Sequence, residues 1–364
     1  MLSHSASFIY MSPESDSSLR SGFSTRRRWL AGLAAGGAGV AAGHLFSAEA
    51  ATAARSPWNV ISIGDREYVS SDDVKKYYTF DRTVREGRAI IFESRAVRMS
   101  WHVATDDIFI NKIKFCLCYP TVEQSGKVYV SRMDLAKLLN PILRPSHINA
   151  SSTFNTIVID PGHGGGDSGA TGPYGEEKHY ALDTAFRLKK MVEAAGFKTV
   201  LTRSSDVFID RPERVRIANS IPGCVFVSIH YNSFNRSSIG LETFALAPQG
   251  TATTDKDLQM SDLKSRNGNL RDSENIALAT AVHAMAIYTM GSVDRGVKRA
   301  RYDVLAGIQR PAILVEGGFV SNPTEGARIH RPEFREALAK AITAGVRNFH
   351  TAIDRSSVPR RPRR

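Results

Sequence analysis

The chain has 364 residues, 42% of them hydrophobic and 23% charged, with a formal net charge of +12. That length exceeds one average domain, and the hydrophobic share suits a soluble protein with a sizeable core, which excludes a disordered or fibrous chain. The basic excess favours acidic polymers as partners. Lysine and arginine are nevertheless scattered, apart from Arg26-Arg27-Arg28 and Arg360-Arg361-Pro362-Arg363-Arg364, which argues against the basic stripe of a nucleic-acid-binding protein. Of the three cysteines, Cys116 and Cys118 share one face of a strand-like run and Cys224 stands alone near a turn. They make neither a full disulfide set nor a zinc quartet, and read as small buried hydrophobes.

At the amino end, Thr25-Arg26-Arg27-Arg28-Trp29-Leu30 leads into the Gly- and Ala-rich stretch 31–46 and then Ala48-Glu49-Ala50, an A-x-A cleavage pattern. This resembles a twin-arginine export signal over residues 1–50, which implies delivery of a folded protein to the periplasm or cell wall. The stretch is too short and too weakly apolar for a good membrane span, and no other segment is apolar enough, so removal after about Ala50 and no transmembrane segment in the mature chain are expected, with an uncleaved anchor as the alternative. Residues 55–145 predict a small α+β accessory domain with an internal echo. Tyr68-Val69-Ser70-Ser71-Asp72-Asp73-Val74 returns as Tyr129-Val130-Ser131-Arg132-Met133-Asp134-Leu135, each copy a short strand, a Ser/Asp cap and a short helix. Residues 88–92 and 108–118 read as further strands. The unit resembles the small accessory domain named for the amino termini of copper amine oxidases, found on some secreted wall proteins, without implying copper. It is expected to tether the protein and to take no part in chemistry.

A linker over 146–155 precedes a domain over 156–352, and a solvated basic tail, 353–364, follows it. Within the domain, strands are predicted over 156–159, 199–202, 225–230, 242–246 and 312–315, and helices over 177–195, 212–220, 275–290 and 332–352. This alternation indicates an α/β fold: a three-layer αβα domain with a mostly parallel or mixed sheet. Residues 249–272 are polar, without periodicity, and are expected to form a solvent loop or to border a substrate groove.

Two of the predicted strands end on histidine. Val158-Ile159-Asp160-Pro161-Gly162-His163-Gly164-Gly165 and Phe226-Val227-Ser228-Ile229-His230-Tyr231-Asn232 each place an imidazole after a β-branched run, and Ala312-Ile313-Leu314-Val315-Glu316-Gly317-Gly318 repeats the arrangement with a carboxylate. Ligands bind at the carboxyl ends of strands in open α/β sheets, so the two imidazoles are a candidate metal pair. Gly164-Gly165-Gly166-Asp167-Ser168-Gly169 formally matches a dinucleotide fingerprint. The match is rejected, because Thr171-Gly172-Pro173-Tyr174-Gly175 keeps the chain in turns where that fingerprint needs a helix.

From Thr156 to about Ala344 the chain resembles the zinc-dependent N-acetylmuramoyl-L-alanine amidases of the amidase 3 type, bacterial cell-wall hydrolases. The resemblance rests on Ile159-Asp160-Pro161-Gly162-His163-Gly164-Gly165, Glu177-Lys178 ahead of a helix, Arg214 to Ala218-Asn219, Ser228-Ile229-His230-Tyr231-Asn232, Asp294-Arg295-Gly296-Val297-Lys298, and Val315-Glu316-Gly317-Gly318-Phe319-Val320-Ser321-Asn322. It implies zinc ligands His163, Glu177 and His230, and Glu316 as catalytic base. Gly317 departs from the large apolar residue expected after the catalytic glutamate.

Two imidazoles and one carboxylate leave a tetrahedral zinc with an open position, and zinc lowers the pKa of its bound water to about 7. Glu316 would take the water's proton and pass it to the leaving amine. The expected activity, by resemblance, is hydrolysis of the amide between the lactyl group of N-acetylmuramic acid and L-alanine in peptidoglycan. A zinc carboxypeptidase or other zinc peptidase, and a wall-binding protein without activity, are the alternatives. Stem-peptide preference, any protein activator and the oligomeric state stay open. Glu177, not Glu176, is expected to face the site: stepping from Glu177 meets Ala181, Ala185, Leu188 and Val192, whereas stepping from Glu176 meets Tyr180, Asp183 and Arg187, a face suited to solvent.

Overall fold

A computed structural model describes residues 58–148, 153–254 and 256–354. The export signal, part of the linker and the arginines of the tail lie outside the described residues. The amino-terminal part contains β1 (Val60–Ile63), β2 (Arg66–Ser70), α1 (Ser71–Tyr78), β3 (Arg82–Glu86), β4 (Ala89–Glu93), β5 (Arg98–His102), β6 (Asp107–Ile110), β7 (Ile113–Cys116), β8 (Val122–Gln124) and β9 (Lys127–Ser131). Then α2 (Arg132–Asp134) runs through a π-helical turn, Leu135–Leu139, into α3 (Asn140–Leu143).

The echo in sequence is an echo in structure. Ser70 caps α1 by accepting from the Asp73 N–H at 3.1 Å, and Ser131 caps α2 by accepting from the Asp134 N–H at 2.9 Å. β2 and β9 pair antiparallel with Tyr68 opposite Ser131, Val69 opposite Val130 and Ser70 opposite Tyr129. A local two-fold axis therefore passes between the equivalent valines. Residues 108–118 differ from the single strand expected: they form the β6–β7 hairpin, turning at Asn111 and Lys112 with φ of 48° and 69°. Such turns usually announce themselves by glycine, and a lysine in the second position hides this one.

The second part contains β10 (Thr156–Pro161), a small hairpin of β11 (Thr171–Gly172) and β12 (Gly175–Glu176), α4 (Glu177–Ala194), β13 (Lys198–Leu201), α5 (Arg211–Ser220), β14 (Cys224–Asn232) and β15 (Leu241–Leu246). After two short 3-10 turns follow α6 (Asp272–Met290), β16 (Asp294–Ala300), α7 (Asp303–Gly307), β17 (Ala312–Phe319), α8 (Pro323–His330) and α9 (Pro332–Ile353). β13, β10, β14 and β17 are parallel neighbours, while β15 runs against β17 and with β16. α4, α6 and α9 cover one face and α5 and α7 the other, so the sheet is the middle of three layers.

The apolar runs serve both layers at once. Ile157, Ile159, Val225, Val227 and Ile229 join the core under α4, α6 and α9, whereas Val158, Phe226 and Leu314 pack with Ala218, Val304 and Leu305 on the other side. A strand covered on both faces has no polar face to show, which is why these strands read as unbroken apolar runs.

β16 was not visible as a strand because it carries Arg295, Lys298 and Arg299. It is nevertheless interior: its outer edge meets β7 in a parallel pairing of Val297 with Phe115, which extends the sheet to eleven strands. Polar ties reinforce that junction. The Lys114 N–H donates to Asp294 Oδ2 at 2.8 Å, Tyr288 to the Asn111 carbonyl at 2.7 Å, Tyr119 to the Gly250 carbonyl at 2.9 Å, and buried Arg299 to the Lys137 carbonyl at 2.6 Å. Cys116 and Cys224 are buried and Cys118 half-buried, all three as free thiols. No described helix is long and apolar enough to cross a membrane.

The layer of α6 and α9 is tight enough to make a prediction. A Cβ added to Gly345 would lie 2.4 Å from Val282 Cα and 2.8 Å from the Ala281 carbonyl oxygen, so the backbones of the two helices touch. Alanine at an exposed helix site gains about 1 kcal/mol over glycine; here the clash with backbone reverses the sign, at about 1–3 kcal/mol of destabilisation. Gly345→Ala is expected to lower the melting temperature, and an unchanged or raised one would show that the helices separate freely.

Candidate metal centre

The site is built on the loop that leaves β10. Asp160, at the end of that strand, is buried and fully engaged: Oδ1 accepts from Thr202 Oγ1 and Arg214 Nη1, both at 2.6 Å, and Oδ2 accepts from Ser228 Oγ at 2.7 Å. Arg214 also donates to the carbonyls of Pro161 and His163 at 2.7 and 2.8 Å, and Arg203 to those of Pro161 and Gly162 at 3.0 and 2.8 Å. Two guanidinium groups thus hold every carbonyl from 161 to 163. They hold it in a strained form, since His163 has φ of 60°, a conformation that costs a non-glycine residue on the order of 1–3 kcal/mol and clusters at functional sites.

His163, Glu177 and His230 converge, with ligating atoms all within 4.8 Å of one another. His230 Nδ1 lies 2.8 Å and His163 Nε2 3.2 Å from Glu177 Oε1, and the two rings meet edge to face at 4.9 Å. Backbone donors fix the carboxylate: the Tyr231 N–H reaches Oε1 at 3.0 Å and the Ala170 N–H reaches Oε2 at 2.8 Å. The other nitrogen of His163, Nδ1, lies 2.8 Å from Asp167 Oδ2, which orients the ring with Nε2 toward the cluster. Burial alone would raise the Glu177 pKa, but the two imidazoles outweigh it and hold the carboxyl far below its usual range. For His163, burial pulls the other way and is outweighed by Glu177 and Asp167, so its pKa rises.

Two nitrogens and one carboxylate oxygen at this spacing suit a divalent cation, zinc among them. The backbone leaves room for the donors: a Cβ on Gly162 would sit 2.3 Å from His230 Cε1, and one on Gly169 would sit 2.6 Å from Glu177 Oε2 and from His163 Cδ2.

The helix phase explains why Glu177 and not its neighbour is inside. Ala181, Ala185, Leu188 and Val192 are all buried below it, while Glu176 is partly exposed with Lys178 Nζ 3.6 Å away. Tyr180 corrects the expected solvent face: it is buried, donating to the Tyr174 carbonyl at 2.7 Å and meeting Tyr231 edge-on at 5.9 Å. The packing of α9 over α4, with His330 at the end of α8 against the Tyr180 ring, covers that position, which the helix period by itself does not register.

Glu316 stands beside His230 on β14 and opposite Glu242 on β15. It is buried, and its Oε2 has no hydrogen-bond partner among the described residues. Burial pushes its pKa well up, and the charges of Glu177 and Glu242 push it further. Glu242 is the opposite case. Its burial is outweighed by Lys298 and Arg295, which donate to Oε1, with Asn232 on Oε2 at 3.1 Å, and its pKa is lowered. Gly317 is explained by its neighbours: a Cβ there would meet Leu338 Cδ2 at 2.6 Å and Tyr231 Cε1 at 2.8 Å, so those side chains already fill the space.

Sequence reasoning did not single out Arg203, Glu242 or Glu325, and quoted Arg214 and Asn322 without a task. Glu325 accepts from the Phe319 N–H at 2.7 Å and the Gly240 N–H at 3.0 Å, and Asn322 donates to the Arg236 carbonyl at 2.7 Å, so the start of α8 clamps the loop that follows β14. A groove of about 1090 Å³ leads away from His163, His230 and Glu316, past Leu314, between the start of α5 and Tyr302–Gly307. None of the described residues in 249–272 lines it. That segment instead backs one wall, where Arg301 donates to the carbonyls of Pro248 and Thr251 at 2.8 and 2.6 Å.

Residues 157–348 match the family model described as N-acetylmuramoyl-L-alanine amidase. The chain is 33% identical to the N-acetylmuramoyl-L-alanine amidase LytC of Bacillus subtilis over 54% of its own length and 35% of that protein's. To AmiC of Escherichia coli, also an N-acetylmuramoyl-L-alanine amidase, it is 34% identical over 53% of this chain and 52% of the relative. A solved structure, the amidase AmiC2 of Nostoc punctiforme, is 32% identical over 54% of this chain and 97% of that one, with a TM-score of 0.45. The chain therefore spans about a third to a half of the length of these two curated relatives. The matched span takes in the loop after β10 that carries His163, and α4, β14 and β17, which carry Glu177, His230 and Glu316, and extends over more than half of the sequence: the chain belongs to the N-acetylmuramoyl-L-alanine amidase family.

Proposed function

We infer that this protein is a zinc-dependent peptidoglycan amidase that cleaves the bond between the lactyl group of N-acetylmuramic acid and L-alanine, exported to the periplasm or cell wall by a twin-arginine-type signal. The observation that carries the reading is the His163–Glu177–His230 donor triangle beside the buried, unpartnered carboxyl of Glu316, inside the family-matched span.

His163, Glu177 and His230 would hold the zinc, which when bound polarises the amide carbonyl and makes water acidic enough to act near neutral pH. The remaining work belongs to the chain. Asp167 keeps the His163 ring in the tautomer that offers Nε2, and the N–H groups of Ala170 and Tyr231 keep Glu177 in place. Glu316 accepts the proton of the attacking water and delivers it to the amide nitrogen as the C–N bond breaks, leaving a lactyl carboxylate and a free alanine amine. A carboxyl whose surroundings raise its proton affinity suits both halves of that transfer.

Release of free stem peptides from purified sacculi, with and without a chelator, tests the reading. Cleavage of glycan-free stem peptides instead would favour a peptidase, and binding without release a wall-binding protein.

Glu316→Gln is expected to retain zinc while losing about 10²–10⁴-fold in hydrolysis, because the amide keeps the shape but cannot accept a proton. Zinc content and peptide release measured side by side decide it; near-normal turnover would remove Glu316 from the mechanism.

The two adjacent glutamates should behave differently. Glu177→Ala is expected to lose tightly bound zinc and activity. Glu176→Ala should keep both, with a stability change within about 0.5 kcal/mol. Metal analysis giving the reverse pattern would show that the ligand is wrongly assigned.

Export supplies a further check. Replacing both Arg26 and Arg27 with lysine should leave the protein in the cytoplasm, read by fractionation, and undiminished export would point to a general secretory signal.

A further inference from the structure

Of the cations at this end of the sheet, most are already committed. Arg203 and Arg214 spend their donors on buried carbonyls, and Lys298 is buried against Glu242. Arg295 is different. Its Nε donates to Glu242, the residue opposite Glu316, and its Cζ lies 4.8 Å from the centre of the Phe319 ring. The backbone of Gly240 lies against its stem, since a Cβ there would come within 3.0 Å of Arg295 Cγ. The guanidinium is thus fixed on three sides, yet its two terminal nitrogens have no hydrogen-bond partner among the described residues, and the side chain is 33% exposed.

We propose that Arg295 is a specificity-determining residue that receives a carboxylate of the peptide part of the substrate, selecting stem peptides whose residue after the alanine carries a free acid over those in which it is amidated. A planar guanidinium held at Nε presents two parallel N–H donors, the fork that a carboxylate accepts in bidentate fashion and a carboxamide matches poorly. Glu242 does not by itself cancel this attraction, because it is shared between Arg295 and Lys298; Glu325 also feels the Arg295 charge, but its carboxylate is spent on the Phe319 and Gly240 N–H groups. The proposal rests on the amidase reading, in which the peptide departs as an amine from beside Glu316.

The test compares N-acetylmuramoyl-L-alanyl-γ-D-glutamyl-L-lysine with N-acetylmuramoyl-L-alanyl-D-isoglutaminyl-L-lysine, in which the γ-carboxyl is bonded onward and only the α-carboxyl differs, using the zinc-loaded full chain, its Arg295→Met variant and its Arg295→Lys variant. The wild type is expected to favour the acid by about 10- to 100-fold in kcat/KM, the range of a charge-assisted pair. Because Arg295 also holds Glu242 opposite Glu316, Arg295→Met is expected to lower kcat on both substrates by a common factor; beyond that factor it should erase the preference, chiefly through KM for the acid, and Arg295→Lys should restore part of it. Equal wild-type rates on both substrates, or an equal loss on both in Arg295→Met, would overturn the proposal while leaving the amidase reading intact. Cleavage of neither substrate would count against the amidase reading itself. In that event, calorimetric titration with L-alanyl-γ-D-glutamyl-L-lysine and L-alanyl-D-isoglutaminyl-L-lysine judges Arg295 directly: tighter binding of the acid that Arg295→Met weakens to the level of the amide supports the proposal, and equal binding ends it.

Discussion

The ion pair of Asp160 with Arg214 is the constraint on which the site depends. Both groups are buried, at 1% and 5% side-chain exposure, and the pair spans the sheet and the start of α5. A buried pair gives little net stability, but removing one partner strands the other at a cost of about 3–5 kcal/mol. What the pair secures is geometry. Asp160 also takes the hydroxyls of Thr202 and Ser228, so three elements are referenced to one carboxylate, and the rest of the Arg214 guanidinium is turned onto the loop carbonyls. The strained backbone of His163 persists because those carbonyls cannot relax without breaking this network.

The same logic extends to the outer strands. β16 carries charges that have no business at an open sheet edge, and β7 covers it. Asp294 shows how closely the two parts are fitted: one carboxylate oxygen accepts the Lys114 N–H, the other accepts the Gly296 N–H and meets Nε2 of fully buried His283 at 2.9 Å. Removing the amino-terminal strands would bare an edge and leave Lys298 and Arg299 facing water on a surface built to be dry. The strand that bears Arg295 is therefore held in register from both sides, by Glu242 on β15 and by the amino-terminal hairpin.

How much of this was legible in the sequence follows from the range of each signal. His163, His230 and Glu316 were legible because each ends an apolar run, and Glu177 because the helix period below it is unbroken. The Ser70 and Ser131 caps were legible as a repeat. Arg203, Glu242 and Glu325 were not, since a buried charge looks like a surface charge until its partner, tens of residues away, is known. β16 failed for the same reason: Lys298 and Arg299 conceal a strand whose burial is arranged by Glu242 and by Lys137 of a different part of the chain. Tyr180 misled because α9 covers a face that α4 by itself would turn to solvent.

Three glutamates gather at this end of the sheet, and their neighbours, not their residue type, give each a different proton affinity. Glu177 meets two imidazoles and two backbone N–H groups and is held ionised, the state a metal ligand requires. Glu242 meets a lysine, an arginine and an asparagine, and is ionised as an anchor. Glu316 meets neither cation nor donor, only apolar burial and two other carboxylates, and so has a raised affinity for a proton. Such divergent surroundings for like groups are how a site separates its ligand, its scaffold and its base. The separation is self-consistent: the anchors that keep Glu177 and Glu242 charged leave Glu316 as the carboxyl with the raised proton affinity.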